Sequence, residues 1–99
     1  MNSTKDVVVR LGELADVEQI HEAICTMGAG LGARDKISST VEDFRRYGFG
    51  PYAAFTSLIA EVDEAFAGLA LFFPIFSTWY GKPGVYVQDL YVDEAFRGK

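Results

Sequence analysis

The spacing of hydrophobic residues changes period along the chain, and each change marks an element. Val7-Val8-Val9, β-branched and flanked by charge, predicts a short strand over roughly 6–10. From Asp16 the period lengthens. Val17, Ile20, Ile24 and Met27 recur at intervals of three and four, one apolar face of a helix over 16–27. Asp16 is the expected N-cap, with Gln19 three residues on completing a capping-box-like pair, and Gly28 is the expected stop. Gly28-Ala29-Gly30-Leu31-Gly32 follows a helix and lacks the Lys-Ser/Thr of a phosphate loop, so it reads as a flexible connector. Ser39 and Glu42 have capping-box spacing. They predict a second, shorter helix over roughly 40–47 that buries Val41 and Phe44 and ends at Gly48.

Strand patterns return after the Gly48-Phe49-Gly50-Pro51 loop. Ser57 to Val62 predicts a strand, followed by a turn at Asp63-Glu64. Asp63-Glu64 reads as a tight turn, with a longer turn as the alternative because Glu64 stands where a tight hairpin turn prefers glycine. Ala67 to Phe73 is continuously apolar, the pattern of a strand covered on both faces. Pro74 lacks a donor and should lie at a bulge, at an edge or near the strand's end. Ser77 to Gly84 reads as a hairpin loop and Val85 to Val92 as the last strand. Strict alternation puts Val85, Val87, Asp89 and Tyr91 on one face of it, and Tyr86, Gln88, Leu90 and Val92 on the other. The element order is β-α-α-β-β-β. The fold class is α+β: an antiparallel meander with the first strand beside the second, and two helices covering part of one face.

Composition narrows the function. The chain has 99 residues, 49% hydrophobic and 23% charged, which allows a single globular domain. Its net charge of −5, from 14 acidic and 9 basic residues, argues against nucleic acid and against a membrane surface as partners. No apolar stretch approaches the roughly 18 residues of a membrane span. With one cysteine there is no intrachain disulfide, and the expected setting is reducing and cytoplasmic. Cys25 and the single histidine, His21, stand four apart. Two ligands do not make a metal site, so a packed cysteine, a surface histidine and no metal are expected.

The last segment, Val85-Tyr-Val-Gln-Asp-Leu-Tyr-Val-Asp-Glu-Ala-Phe-Arg-Gly-Lys99, carries a resemblance. Together with the element order it resembles the N-terminal half of a GNAT-superfamily N-acetyltransferase, whose fold begins with these six elements. Phe96-Arg97-Gly98-Lys99 matches the start of the R/Q-x-x-G-x-G/A turn that follows the fourth strand in that superfamily. Phe72-Phe73, the Ser77–Gly84 loop with Trp79, Gly81 and Lys82, and Asp89-Leu90-Tyr91-Val92 are similar to the diamine (spermidine/spermine and thialysine) acetyltransferases.

The resemblance implies acetyl-CoA as cosubstrate and a small amine as acceptor. Backbone groups of Leu90, Tyr91 and Val92 would pair with pantetheine, and turn amides of Arg97, Gly98 and Lys99 would hold the pyrophosphate. Trp79 would offer an aromatic face to the amine's cation, or else pack as a loop aromatic on the core. Asp89 would hold an ammonium group, or else make a structural hydrogen bond. Gln88 stands where these relatives usually have Glu, and Ser77 where polyamine acetyltransferases have a loop acid. No catalytic acid is assigned, because the family's tyrosine after its fifth strand has no counterpart in the 99 residues. The chain therefore reads as a truncated N-terminal portion of one acetyltransferase domain, inactive by itself. The competing expectation is a non-catalytic interaction module. In either case the last strand would be an apolar edge, and a two-fold homo-oligomer with that strand or its sheet face at the interface is expected.

Overall fold

The computed structural model describes residues 6–97. The strands are β1 (Val7–Leu11), β2 (Thr56–Val62), β3 (Ala65–Ser77) and β4 (Lys82–Val92), and the helices are α1 (Val17–Gly30) and α2 (Val41–Gly48). The sheet order is β1-β2-β3-β4 and every pair is antiparallel, as the short β2–β3 and β3–β4 connections require of those two pairs. Both helices lie before β2 in sequence, and α1 packs on one face of the sheet. Ile20 and Ala23 of α1 meet Ile59, Leu69 and Tyr91 of the sheet in a buried core, with Met27, Phe44 and Phe66 around it.

The helix ends differ in detail from the sequence reading. Asp16 makes no side-chain bond to the first turn of α1. Its carboxylate accepts instead from the Glu13 amide (2.7 Å) and from both terminal nitrogens of Arg10 (2.8 and 2.9 Å). The helix does not stop at Gly28, which is buried inside it. It runs two residues further, and Gly32, with φ +72°, turns the chain in the left-handed region that favours glycine. Part of the expected connector is thus helical. The capping box of α2 is Thr40/Asp43, one residue beyond Ser39/Glu42: Asp43 N–H donates to Thr40 Oγ1 (3.2 Å) and Thr40 N–H to Asp43 Oδ2 (2.9 Å). His21 is not a surface residue. It is half-buried, its Nε2 2.8 Å from Ser39 O and its ring edge-on to Phe44 at 5.2 Å, so it ties α1 to the start of α2.

The β2–β3 turn is two residues long despite Glu64. Asp63 and Glu64 both adopt positive φ (52° and 68°), the mirror-image turn that matches strand twist. A left-handed non-glycine residue costs roughly 1–2 kcal/mol. Glu64→Gly is therefore expected to stabilise the fold by about 1 kcal/mol, read as a higher urea midpoint at unchanged slope. An unchanged or lowered midpoint would mean that the glutamate side chain offsets its own strain.

Two bulges reshape the sheet. On β3, Ala60 pairs with Gly68 but Glu61 pairs with Phe66, leaving Ala67 as the extra residue. On β4, Leu71 pairs with Asp89 but Phe72 pairs with Val87, leaving Gln88 as the extra residue. Cross-strand partners share a face and neighbours alternate. The Gln88 bulge therefore breaks the alternation expected for Val85 to Val92. Val85 and Val87 join Leu90 and Val92 on one face, while Tyr86 joins Asp89 and Tyr91 on the other. Tyr86 stacks on Phe73 there, with ring centroids 5.3 Å apart.

Beyond the Thr56–Phe72 pair, β2 ends and β3 and β4 continue alone as a two-stranded ribbon through Ser77–Lys82. β3 is longer than its apolar run suggested because it continues through Pro74. Pro74 pairs with Val85 on this ribbon, where β3 has no β2 partner and a missing N–H leaves no ladder bond unmade. The apolar stretch 67–73 is not covered on both faces. Leu69 and Leu71 are buried under the helix layer, but Ala70 and Phe72 lie on a face that no described element packs against.

Candidate functional site

The last strand carries most of the residues singled out above, and its edge decides what they can do. β4 is terminal in the sheet, so one side of its backbone bonds to β3 and no strand pairs with the other among the described residues. Asp93 N–H donates to Ala67 O (2.8 Å), which orients the odd-numbered residues Tyr91 and Asp89 toward β3. Leu90 and Val92 therefore point their N–H and C=O groups outward. An Arg97 bond confirms that orientation, because Nε donates to Val92 O at 2.7 Å. The outward edge belongs to Leu90 and Val92. Tyr91 contributes its side chain, which is buried, stacked on Phe66 at 6.2 Å and covered by the Arg97 guanidinium 5.8 Å from its ring centre.

After β4 the chain turns at once. Asp93 Oδ1 accepts from Ala95 N–H (3.0 Å) and caps a short 3₁₀ turn, Glu94–Phe96. The Arg97 amide is engaged inside this turn, donating to Glu94 O at 3.3 Å. Gly98 and Lys99 lie outside the described residues.

Asp89 sits beside the Gln88 bulge on the helix-side face, half-buried, opposite Leu71. Burial pushes its carboxyl above the ordinary carboxylate range. No hydrogen bond or ion pair to Asp89 is formed among the described residues, so the expected structural hydrogen bond is not made. A desolvated, unpartnered carboxylate next to a bulge favours a cationic group placed against it.

Trp79 is elsewhere. It stands at the tip of the ribbon, 93% exposed, and so does not cap the core. Ser77 holds the tip in shape: its Oγ accepts from Tyr80 N–H (3.1 Å), and its carbonyl accepts from Gly81 N–H (2.8 Å) at Gly81's positive φ of 68°. The loop-acid position is thus taken by a turn-forming hydroxyl. Along β4 the tip lies roughly 20 Å from Asp89 at about 3.3 Å per residue. The structure brings Gln88, Asp89, Leu90 and Val92 together and leaves Trp79 at a distance. The bulge and the Arg97 side-chain bond had no signal in a single sequence, since both are properties of a strand pair and a turn.

Among the described residues no group of three or more His, Cys, Asp or Glu is arranged to hold a metal, and no helix is long and apolar enough to cross a membrane.

Comparison with known proteins gives this arrangement its class. No protein-family model matches the chain. It is 31% identical over 97 residues to the spermidine/spermine N(1)-acetyltransferase-like protein 1 of Homo sapiens, covering 91% of this chain and 14% of that protein. Its fold superposes with a TM-score of 0.71 on the ribosomal-protein-alanine N-acetyltransferase of Brucella melitensis, at 20% identity, covering 95% of this chain and 62% of that one. A GNAT family acetyltransferase of Staphylococcus aureus matches with a TM-score of 0.67 at 14% identity, covering 97% of this chain and 68% of that one. The four antiparallel strands and two helices are a partial GNAT acetyltransferase fold. Within that class, the sequence is similar to the human spermidine/spermine acetyltransferase-like protein.

Proposed function

We propose that this chain supplies one wall of the active site of a cytoplasmic acetyl-CoA-dependent N-acetyltransferase acting on a small primary amine, as part of one acetyltransferase domain. The observation that carries the reading is the strand-free β4 edge, where the N–H and C=O of Leu90 and the N–H of Val92 face outward beside a capped turn, Val92 O being taken by Arg97 Nε. Such an edge pairs with an extended ligand that has amide groups of its own, as the pantetheine arm of CoA does. Similarity to an acetyltransferase-like relative and to acetyltransferase folds supports the same reading.

The cosubstrate supplies the acetyl thioester. This chain's part is to orient it and to hold the amine. Leu90 and Val92 fix the pantetheine by backbone bonds. Arg97, anchored on Val92 O and on the Tyr91 ring, sets the direction in which the chain leaves β4 toward Gly98 and Lys99. Asp89, with Gln88 at the bulge, receives the ammonium. Trp79 contributes to amine recognition only for an acceptor long enough to reach the ribbon tip. Leu90 and Val92 are aliphatic and the Tyr91 side chain is buried, so this edge offers no proton donor to a departing thiolate. Transfer by the 99-residue chain itself is therefore not expected.

Leu90→Pro tests the edge directly. It removes an outward N–H and no ladder bond, since Leu90 does not donate to β3. Calorimetric titration with CoA should show binding by the native chain and at least tenfold weaker binding by Leu90→Pro, with the far-ultraviolet spectrum unchanged. In the same samples, acetyl-CoA with spermidine should release no CoA thiol above background. Equal affinity of the two proteins, or no binding by the native chain at millimolar CoA, would remove the edge from the proposal.

A further inference from the structure

We infer that Gly68 is a positioning residue for the β4 edge: its missing side chain seats the peptide unit that turns the Val92 N–H outward. This role rests on the reading of that edge as the place where the pantetheine arm pairs. Gly68 lies between Ala60 of β2 and Val92 of β4. Its backbone does not call for glycine, since it is not among the residues with positive φ. Space does. Glycine inside a strand weakens it, and it marks a place where another backbone comes close. A Cβ on Gly68 would stand 2.9 Å from Tyr91 O, with Ala60 Cβ at 3.7 Å and Val92 Cα at 3.8 Å. Favourable approaches of carbon to a carbonyl oxygen between strands are roughly 3.3–3.6 Å. The atom met is backbone, so it cannot swing aside as the end of a flexible side chain does.

That carbonyl is part of the edge. Tyr91 O and Val92 N–H are the two ends of one planar trans peptide unit and point in opposite directions, the oxygen toward β3 and the N–H outward. A push on the oxygen therefore tilts the amide. The next unit, between Val92 and Asp93, is also held from β3, by Asp93 N–H donating to Ala67 O at 2.8 Å. Two consecutive residues of β3 thus seat the two peptide units that flank Val92. Ala67 does so by accepting a hydrogen bond, and Gly68 by leaving room. Hydrogen bonds weaken steeply as their angle closes. A methyl group on Gly68 would cost an extended ligand its bond to the Val92 N–H, while the Leu90 groups, opposite Ala70, keep theirs.

Calorimetric titration of the 99-residue chain with CoA is the test, using Gly68→Ala, with Gly12→Ala as the control for lost stability. Both add one methyl group at a closely packed position, but only Gly68 lies against β4. At a temperature where all three proteins are folded, Gly68→Ala should bind CoA at least tenfold more weakly than the native chain, and Gly12→Ala should bind within twofold of it. Without ligand, the Val92 amide signal in a nitrogen–proton correlation spectrum should move in Gly68→Ala and stay in place in Gly12→Ala. If Gly68→Ala fails to fold, Ala60→Gly is added to give the methyl group room on the β2 side. The pair should then bind at least threefold more weakly than Ala60→Gly alone. Equal affinity in either comparison, an unmoved Val92 amide, or equal losses in Gly68→Ala and Gly12→Ala would overturn the role of Gly68 and leave the reading of the edge standing. A native chain that binds no CoA would remove the reading of the edge, and this role with it.

Discussion

Gly12→Ala should lower the melting temperature by roughly 15 °C. The residue follows β1, and its N–H donates to Ser57 O at 2.8 Å, which brings the two backbones together. A methyl group on Gly12 would overlap Ser57 Oγ, with Ser57 Cβ at 3.2 Å and Ile20 Cδ1 at 3.5 Å behind it. Ser57 is 3% exposed and Ile20 is fully buried, so neither can move aside without opening the core. Overpacking of this kind costs about 3 kcal/mol, and each kcal/mol shifts the midpoint by about 4–8 °C in a domain of this size. The hydroxyl itself has no hydrogen-bond partner among the described residues. Ser57→Ala should therefore be neutral, or stabilising by about 1 kcal/mol, because it removes an unpaired buried polar group. In the Ser57→Ala background most of the Gly12→Ala penalty should vanish, giving a coupling of about 2 kcal/mol in the double-mutant cycle. Additive effects would show that the strain lies in the backbone after β1 and not in the Gly12–Ser57 contact.

The contrast between what could be read in advance and what could not follows from locality. Val17, Ile20, Ile24 and Met27 face one way in any helix, so α1 was legible from spacing alone. The order β2-β3-β4 was legible because those two connections are too short for a crossover, whereas the connection from β1 to β2 holds both helices and its length does not decide the pairing. Thr40 and Asp43 escaped notice because Ser39 and Glu42, one residue earlier, satisfy the same spacing with the more usual acid. Ala67 and Gln88 bulge for reasons that lie on the partner strand, and no period-two pattern in β3 or β4 records them. The continuous apolar run 67–73 looked like a doubly covered strand because both of its faces are apolar; which face finds a cover is a tertiary fact. The same limit applies to the site. Leu90 and Val92 were legible as positions on the edge strand, but the outward direction of their amides rests on the Asp93–Ala67 bond. Trp79 and Asp89 were both legible as candidates for the amine, but the distance between them rests on the length of the β3–β4 ribbon.

Asp16→Asn should destabilise the fold by about 2 kcal/mol at neutral pH, and the loss should depend on pH in one direction. The Asp16 carboxylate accepts two bonds from Arg10 and one from the Glu13 amide, while Arg10 also reaches Glu61 at 3.2 Å. The cluster pins β1 to β2 and to the entry of α1, with both members of the Arg10–Asp16 pair less than a third exposed. Hydrogen bonds to a charged group at such a site contribute about 1.5–3 kcal/mol. The Arg10 bonds, then the Glu13 amide, hold the Asp16 carboxyl below its ordinary value of 3.8, against an opposing push from burial. A carboxyl lowered in the folded state adds stability that is fully present above its unfolded pKa and is lost as pH falls through the folded one. Urea denaturation at pH 7, 5, 4 and 3 should therefore show a constant gap between the native chain and Asp16→Asn down to about pH 5. The gap should narrow below about pH 4, as the native carboxyl takes up its proton and loses the charge that Arg10 binds. A gap as wide at pH 3 as at pH 7 would assign the role of Asp16 to packing, since the asparagine differs from a protonated aspartate only in its amide.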